Sequence, residues 1–168
     1  MIVLMAGLPG TGKTTLALEL ARRTSGRVLS KDEFRHALFT PEEIEYSTRQ
    51  DDFCQELMLR TAGYLFSRDP GKIVFLDGRP FSRRYQIENV ITAANSLHQP
   101  WRILECVCPD EIAIRRLASD TRHPAQNRDQ VLFADVKARF ETIIHPKIVI
   151  TTNRELEECI QQALGVLS

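Results

Sequence analysis

The feature that most constrains the fold of this chain is a glycine-rich stretch, GLPGTGKTT, that directly follows an apolar run at Ile2–Ala6. The stretch matches the pattern G-x-x-x-x-G-K-[ST], in which a loop backbone wraps closely around phosphate groups. Such a loop lies between a buried strand and a helix whose first N–H groups point at the anion. The apolar run is therefore predicted to be a buried strand, and a helix is predicted to follow the glycines.

Each position of this phosphate loop has a predicted contact with a bound nucleotide. Lys13 is expected to reach the β and γ phosphates, and the Thr14 hydroxyl is expected to bind Mg²⁺. The other predicted nucleotide contacts are Leu8, Pro9, Gly10, Thr11, Gly12 and Thr15. A plain glycine turn is the alternative, but the position between a strand and a helix favours phosphate binding.

The rest of the chain alternates strand-like and helix-like runs. The predicted strands are Ile2–Ala6, Arg27–Leu29, Ile73–Leu76, Arg102–Val107 and Ile148–Ile150. Short apolar strands without polar alternation are typical of a sheet covered on both faces, and the βαβ order implies parallel strands. We predict a three-layer α/β/α fold with a five-stranded parallel sheet, formed by a single domain over residues 1–168. Ligands of such folds bind beyond the carboxyl ends of the strands.

Three helix starts are indicated by capping-box spacing, in which Ser or Thr is followed three residues later by Glu. They lie at Ser30–Glu33, Thr40–Glu43 and Thr152–Glu155. The second also has a proline in its first turn, which favours a helix start.

Composition limits the classes of partner. Lys plus Arg and Asp plus Glu number 22 each, so there is no global positive field of the kind that nucleic-acid duplexes attract. A nucleic-acid end is left open as a partner, although the net charge does not favour it. No apolar run approaches the ~20 residues of a membrane span, so we expect a cytoplasmic protein. The four cysteines lack metal-site spacing and are expected to be buried, reduced thiols.

Asp77 follows the third predicted strand, in KIVFLDGRP. An acid at the end of an apolar strand beside a phosphate loop can hold a metal-bound water, so Asp77 is predicted to share the Mg²⁺ site with Thr14. The alternative is a turn former, because Asp-Gly is a turn pair. The two roles are compatible.

Asp32 and Arg35 follow the second predicted strand, in SKDEFR. Their spacing of three residues lets both side chains face the same side of a helix. Asp32 alone is explained by the preference for acids in a first helical turn. Together with the phosphate loop, its position places it where an acceptor would approach the γ-phosphate.

A fourth cluster is rich in arginine and comprises Arg115, Arg116, Arg122, His123 and Arg128. The helix predicted to begin at Asp110 breaks at about residues 119–127, with Pro124 in the gap. A broken basic hairpin of this kind, at about residues 119–128, is predicted to be a small helical lid that folds over phosphates and excludes water. The alternative is a solvated basic surface.

These four features together resemble the small P-loop kinases. The chain looks most like the group that contains polynucleotide kinase, zeta-toxin-like kinases, chloramphenicol phosphotransferase and gluconate kinase, and the likeness covers roughly residues 2–165. It rests on GLPGTGKTT, the D-x-x-R of KDEFR, the strand that ends at Asp77 with Arg83 and Arg84 after it, and the arginine-rich segment. The resemblance implies a P-loop NTPase fold of the nucleotide-kinase type, with ATP and Mg²⁺ as cofactors.

The resemblance also implies roles for individual residues. Asp32 would be the general base on an acceptor hydroxyl, and Arg35 would contact the acceptor or a phosphate. Asn153 and the residues before it would border the adenine. Arginines entering the lid are often four apart in this family, whereas Arg116 and Arg122 are six apart, so the γ-phosphate clamp is left between Arg115, Arg116 and Arg122.

Three functions are consistent with the sequence. The first is an ATP-dependent phosphotransferase that acts on a hydroxyl, with Lys13, Asp32, Arg35 and Arg122 as catalytic residues. The second is a nucleoside monophosphate kinase, which LDGRP resembles locally. The third is a nucleotide-responsive switch or ATPase, although the Asn-Lys-x-Asp run of GTPase switches is absent from the sequence. The acceptor pocket is predicted within 42–68, with Tyr46, Arg49, Asp51, Asp52 and Gln55 as polar candidates. The oligomeric state is left open.

Overall fold

A computed structural model describes residues 1–119 and 130–167. The strands in this part of the chain are β1 (Ile2–Ala6), β2 (Arg27–Ser30), β3 (Val74–Asp77), β4 (Trp101–Val107) and β5 (Ile148–Thr151). The helices are α1 (Lys13–Thr24), α2 (Lys31–Leu38), α3 (Thr48–Arg68), α4 (Arg84–Ser96), α5 (Asp110–Ser119), α6 (Gln130–Ala138) and α7 (Leu156–Leu164). A short 3₁₀ helix lies at Pro41–Glu43.

The sheet has five parallel strands in the order β2-β3-β1-β4-β5, which confirms the predicted fold class. The central strand, β1, carries the phosphate loop at its carboxyl end. The predicted strand boundaries differ from the observed ones by at most one residue. One such difference places Asp77 as the last residue of β3 instead of the first residue after it.

Helices cover both faces of the sheet, so β1 is completely buried. On one face Leu4 shares a core with Met58 of α3, and on the other Val3 shares a core with Leu16 of α1 and Ile160 of α7. Burial on both sides explains why the strand sequences lack polar alternation. None of the described helices combines the length and the apolar character that crossing a membrane requires.

The thiols mostly follow the expectation from sequence. Cys54, Cys106 and Cys159 are buried and free, whereas Cys108 is only half-buried. Desolvation raises the pKa of the Cys106 thiol to about 12, which leaves it uncharged and unreactive at neutral pH.

Two of the three predicted helix caps are present. The Ser30 hydroxyl accepts from the Glu33 N–H at 3.4 Å, and Thr40 and Glu43 form a capping box on the 3₁₀ helix. The third prediction is wrong, because α7 begins at Leu156 with Glu155 as its N-cap. Thr152 lies before this helix, and its hydroxyl is directed to the backbone of the phosphate loop instead.

Gly10 allows the phosphate loop to pack directly on α5. Its φ is +77°, and a Cβ at this position would lie 2.3 Å from the carbonyl oxygen of Ala113. Both the backbone conformation and the contact therefore exclude a side chain.

We expect Gly10→Ala to lower the melting temperature by several degrees, because strain of this kind costs about 1–3 kcal/mol. The matched control is Gly71→Ala in the turn before β3, where the nearest atom to a new Cβ is a flexible carboxylate oxygen 3.6 Å away. Thermal denaturation of the two variants measures the difference. Equal shifts would contradict tight packing of the loop on α5.

Candidate active site

The phosphate loop connects β1 to α1, which begins at Lys13. The buried Lys13 Nζ donates to the carbonyl oxygens of Gly7 and Leu8 at 2.9 and 2.7 Å. Thr14 and Thr15, in contrast, are exposed on the first turn of the helix. The ammonium therefore lies within the concave backbone of the loop, and the two hydroxyl-bearing residues lie at its open side.

Thr14 and Asp77 are joined across the end of the sheet. The Thr14 hydroxyl donates to Asp77 Oδ2 at 2.7 Å. Asp77 is 1% exposed, and its Oδ1 is buried without a hydrogen-bond partner. An unsatisfied buried carboxylate oxygen is costly, and a cation would compensate it.

These two side chains fit a magnesium site. Mg²⁺ in proteins is commonly bound by one or two carboxylates together with phosphates of the substrate and water. The donor set therefore matches a cation held jointly by the protein and a nucleotide.

Arg116 lies against the other side of the phosphate loop. Its Nη2 donates to the carbonyl oxygen of Thr152 at 2.8 Å, and the Thr152 hydroxyl donates to the carbonyl oxygen of Thr11 at 2.8 Å. Arg115 and Asn153 are both exposed. Of the arginines considered for the γ-phosphate clamp, Arg116 is the one that contacts the loop region within the described residues. Arg122 and all but the first residue of the predicted lid lie outside them.

Asp32, at the start of α2, belongs to a network of four charged side chains. Arg35 Nη1 donates to Asp32 Oδ1 at 2.9 Å, so the predicted contact between these two side chains is present. Lys31 Nζ lies 3.3 Å from the same oxygen and donates to Asp51 at 2.9 Å, and Arg35 also binds Asp51. Arg35 is 1% exposed. Two cations and two carboxylates thus balance one another, and removal of one charge would leave a buried partner uncompensated.

The two carboxylates, Asp32 and Asp77, meet at the same edge of the sheet. In the pairing of β2 with β3, Ser30 lies opposite Asp77, so α2 starts beside the end of β3. Gly78 has a φ of +84°, and a Cβ there would lie 3.2 Å from Asp32 Oδ2. The turn after Asp77 therefore passes close to the Asp32 carboxylate.

Arg79 is a site residue that the sequence analysis missed. It is 3% exposed, its Nη1 donates to Gln55 at 2.8 Å, and its Nη2 donates to Asp52 at 2.6 Å. Its Nε is buried without a partner. The interpretation of LDGRP from sequence concerns Asp77, its Asp-Gly turn and a local likeness to nucleoside monophosphate kinases, and gives no role to Arg79. The available signal was a cation directly after a buried strand, at the edge where ligands bind.

A cavity of about 570 Å³ connects these groups. Its lining includes Lys13 and Thr14, the carboxylates of Asp32 and Asp77, and residues of several other elements. Among these are Lys31, Arg35, Tyr46, Asp51, Arg79, Arg83, Tyr85, Val136 and Arg139. Two of the predicted acceptor-pocket residues, Tyr46 and Asp51, line it. Asp52 and Gln55 do not line the cavity, but both accept hydrogen bonds from Arg79, which does. Arg49 is exposed and does not line the cavity.

The phosphate loop and the parallel sheet define a nucleotide-binding fold of the P-loop class. Residues 2–143 match the family AAA_33, described as an AAA domain, and the chain belongs to that family. No curated protein sequence matches the chain significantly.

Solved structures show the same fold at low sequence identity. A sugar kinase from Janibacter sp. HTCC2649 is similar at 19% identity with a TM-score of 0.69, covering 98% of this chain and 92% of that one. The APS kinase CysC of Mycobacterium tuberculosis, in complex with AMPPNP and APS, is 17% identical with a TM-score of 0.71, covering 99% and 96%. A gluconokinase from Sinorhizobium meliloti 1021 is 16% identical with a TM-score of 0.67, covering 99% and 90%. The fold is therefore that of P-loop kinases, and the narrower likeness to the polynucleotide kinase group stays a prediction.

We expect Thr152→Val to destabilise the protein by about 1–3 kcal/mol, because it removes the hydroxyl that satisfies the buried carbonyl of Thr11. It should also weaken ATP binding, since the loop backbone loses this support. Thermal denaturation and titration with ATP measure the two effects. Thr142→Val, at an exposed position, is the control, and a variant at Thr152 that matched it would rule out the supporting role.

Proposed function

We propose that the protein is an ATP-dependent phosphotransferase that moves the γ-phosphoryl group of ATP to a hydroxyl group. The observation that carries this proposal is the shared cavity. This cavity is lined by a buried carboxylate, Asp32, and also by Lys13 and Thr14 of the phosphate loop. A carboxylate in this position is what transfer to a hydroxyl requires, whereas a site that only held ATP would not need it.

Asp32 is proposed to be the general base. Its carboxylate accepts the proton of the acceptor hydroxyl while the hydroxyl oxygen forms a bond to the γ-phosphorus. The bond between that phosphorus and the oxygen bridging to the β-phosphate breaks, and its electron pair leaves with ADP. Arg35 fixes the carboxylate through its 2.9 Å hydrogen bond and is itself fixed by Asp51.

The other proposed roles concern charge on the phosphates. Lys13 binds the β and γ phosphates, the loop backbone from Leu8 to Thr15 surrounds them, and Arg116 and Arg122 compensate charge that develops on the transferred group. Mg²⁺ bound to Thr14 and Asp77 would neutralise phosphate charge. Asn153 is proposed to border the adenine.

We expect Asp32→Asn to lower the transfer rate by roughly 10²–10⁴-fold, because the amide keeps the shape of the side chain but does not accept the proton. ATP binding should be unaffected. The measurements are the single-turnover rate with a mixed pool of hydroxyl acceptors, the affinity for ATP and the melting temperature.

The matched control is Glu33→Gln, the neighbouring acid in the same first turn of α2, which is exposed. It reproduces any loss of interaction with the helix dipole without touching the cavity. If Asp32→Asn lowered the melting temperature but retained the parental rate, Asp32 would be a structural residue and the general-base mechanism would be wrong.

A further inference from the structure

The charged side chains that line the cavity do not balance one another. Six of them are cations and four are carboxylates, so the lining formed by the described residues has a formal excess of two positive charges. The cations are Lys13, Lys31, Arg35, Arg79, Arg83 and Arg139, and the carboxylates are Asp32, Asp51, Asp77 and Glu141. A ligand of this cavity therefore meets more positive than negative side chains.

Most of these charges are balanced within the lining. The network of four charged side chains that includes Asp32 has two cations and two carboxylates, and Arg83 Nη1 lies 3.2 Å from Glu141 Oε1. Lys13 belongs to the phosphate loop and Asp77 to the proposed Mg²⁺ site, and their formal charges cancel. The excess therefore comes from the two cations that remain.

The two remaining cations are Arg79 and Arg139. Their carboxylate partners are Asp52 and Asp135, and neither of these carboxylates lines the cavity. Each ion pair therefore presents its positive member to a ligand in the cavity. The hydrogen-bond partners of Arg79 belong to α3 and α4, whereas the phosphate loop connects β1 to α1, so we assign this charge to the acceptor and not to the nucleotide.

Arg139 is the more accessible of these two cations. Its side chain and that of Asp135, one turn earlier, are 46% and 55% exposed. Solvent weakens an exposed pair of this kind, so the guanidinium can exchange Asp135 for an anion in the cavity at little cost. A guanidinium binds a carboxylate or a phosphate through two parallel hydrogen bonds. Arg79 is 3% exposed and fixed by Asp52 and Gln55, so it contributes positive potential and not a movable donor.

We propose that the acceptor carries an anionic group, a carboxylate or a phosphate monoester, in addition to the hydroxyl that receives the phosphoryl group. Arg139 binds this anionic group, and the charge of Arg79 stabilises it. An uncharged acceptor would leave the positive excess of the lining without a counter-ion. This proposal rests on the proposed phosphotransferase function and names the substrate class of the same cavity.

The first test supplies γ-labelled ATP and Mg²⁺ with three acceptor pools of matched carbon skeletons. One pool holds neutral sugars, polyols and nucleosides, the second holds their carboxylated derivatives, and the third holds their monophosphates. Label is counted where it forms a phosphate ester of a hydroxyl. We expect one anionic pool to be labelled at least about tenfold faster than the neutral pool, and the pool that is labelled identifies the anion.

Two results of this test would contradict the proposal in different ways. Faster labelling of the neutral pool would overturn the anionic acceptor while leaving phosphotransfer intact. Release of the label only as inorganic phosphate with every pool would overturn the phosphotransferase function and this proposal with it.

The second test removes the charge of Arg139. In Arg139→Gln we expect the ratio of transfer to the anionic pool over transfer to the neutral pool to fall roughly tenfold, because a charge-assisted hydrogen bond to the acceptor is lost. The affinity for ATP should stay at the parental value. The control is Arg60→Gln on α3, which breaks an equally spaced exposed pair with Glu56 away from the cavity. An unchanged ratio in Arg139→Gln, or an equal loss of ATP affinity, would overturn the assignment of this charge to the acceptor.

The third test changes the charge in the opposite direction at Arg79. Asp52→Asn removes the carboxylate partner of Arg79, and the side chain of Asp52 is 40% exposed, so the substitution should not prevent folding. We expect the same ratio to rise several-fold, because the charge of Arg79 is no longer offset. The control is Glu56→Gln, one turn further along α3. A ratio in Asp52→Asn that matched this control would overturn the contribution of Arg79.

Discussion

The arrangement of the site depends on one constraint, that all strands of the sheet run in the same direction. The carboxyl ends of β1, β2 and β3 therefore reach one edge, and the residues that follow them meet there although they are far apart in sequence. Thr14 follows β1 and Asp77 ends β3, and their 2.7 Å hydrogen bond joins positions 63 residues apart. At this edge the turn at Gly78 passes close to the start of α2, and a Cβ at Gly78 would lie 3.0 Å from the backbone nitrogen of Lys31.

The second requirement is a stable position for a carboxylate beside the phosphates. A buried carboxylate needs compensation, and Asp32 receives it from Arg35 and Lys31. Asp51 in turn compensates the surplus positive charge of these two residues. The network thus restricts the orientation of the Asp32 carboxylate, and the proposed general-base role requires a fixed orientation of this kind. All four residues of this network line the same cavity as Lys13 and Thr14.

Local patterns in the sequence were sufficient for the sheet, the phosphate loop and the contact between Asp32 and Arg35. The apolar runs and the three-residue spacing are short-range signals, and strand ends were predicted within one residue. Contacts between distant segments were not predictable in this way. Thr152 has capping-box spacing, but its hydroxyl binds the carbonyl of Thr11, 141 residues away. Likewise, Asp52 and Gln55 are polar candidates for the acceptor pocket in the sequence, but their contact with Arg79 is not predictable because Arg79 becomes adjacent only in the folded chain.

The central claim is that the γ-phosphate is transferred to an organic hydroxyl and not to water. The most direct measurement is the fate of the label when γ-labelled ATP, Mg²⁺ and a mixed pool of hydroxyl compounds are incubated with excess protein for one turnover. The account predicts that most of the label leaves ATP on an organic acceptor, with free inorganic phosphate as a minor product. If all of the label appeared as inorganic phosphate at a rate independent of the pool, the protein would be an ATPase, and the account would be wrong.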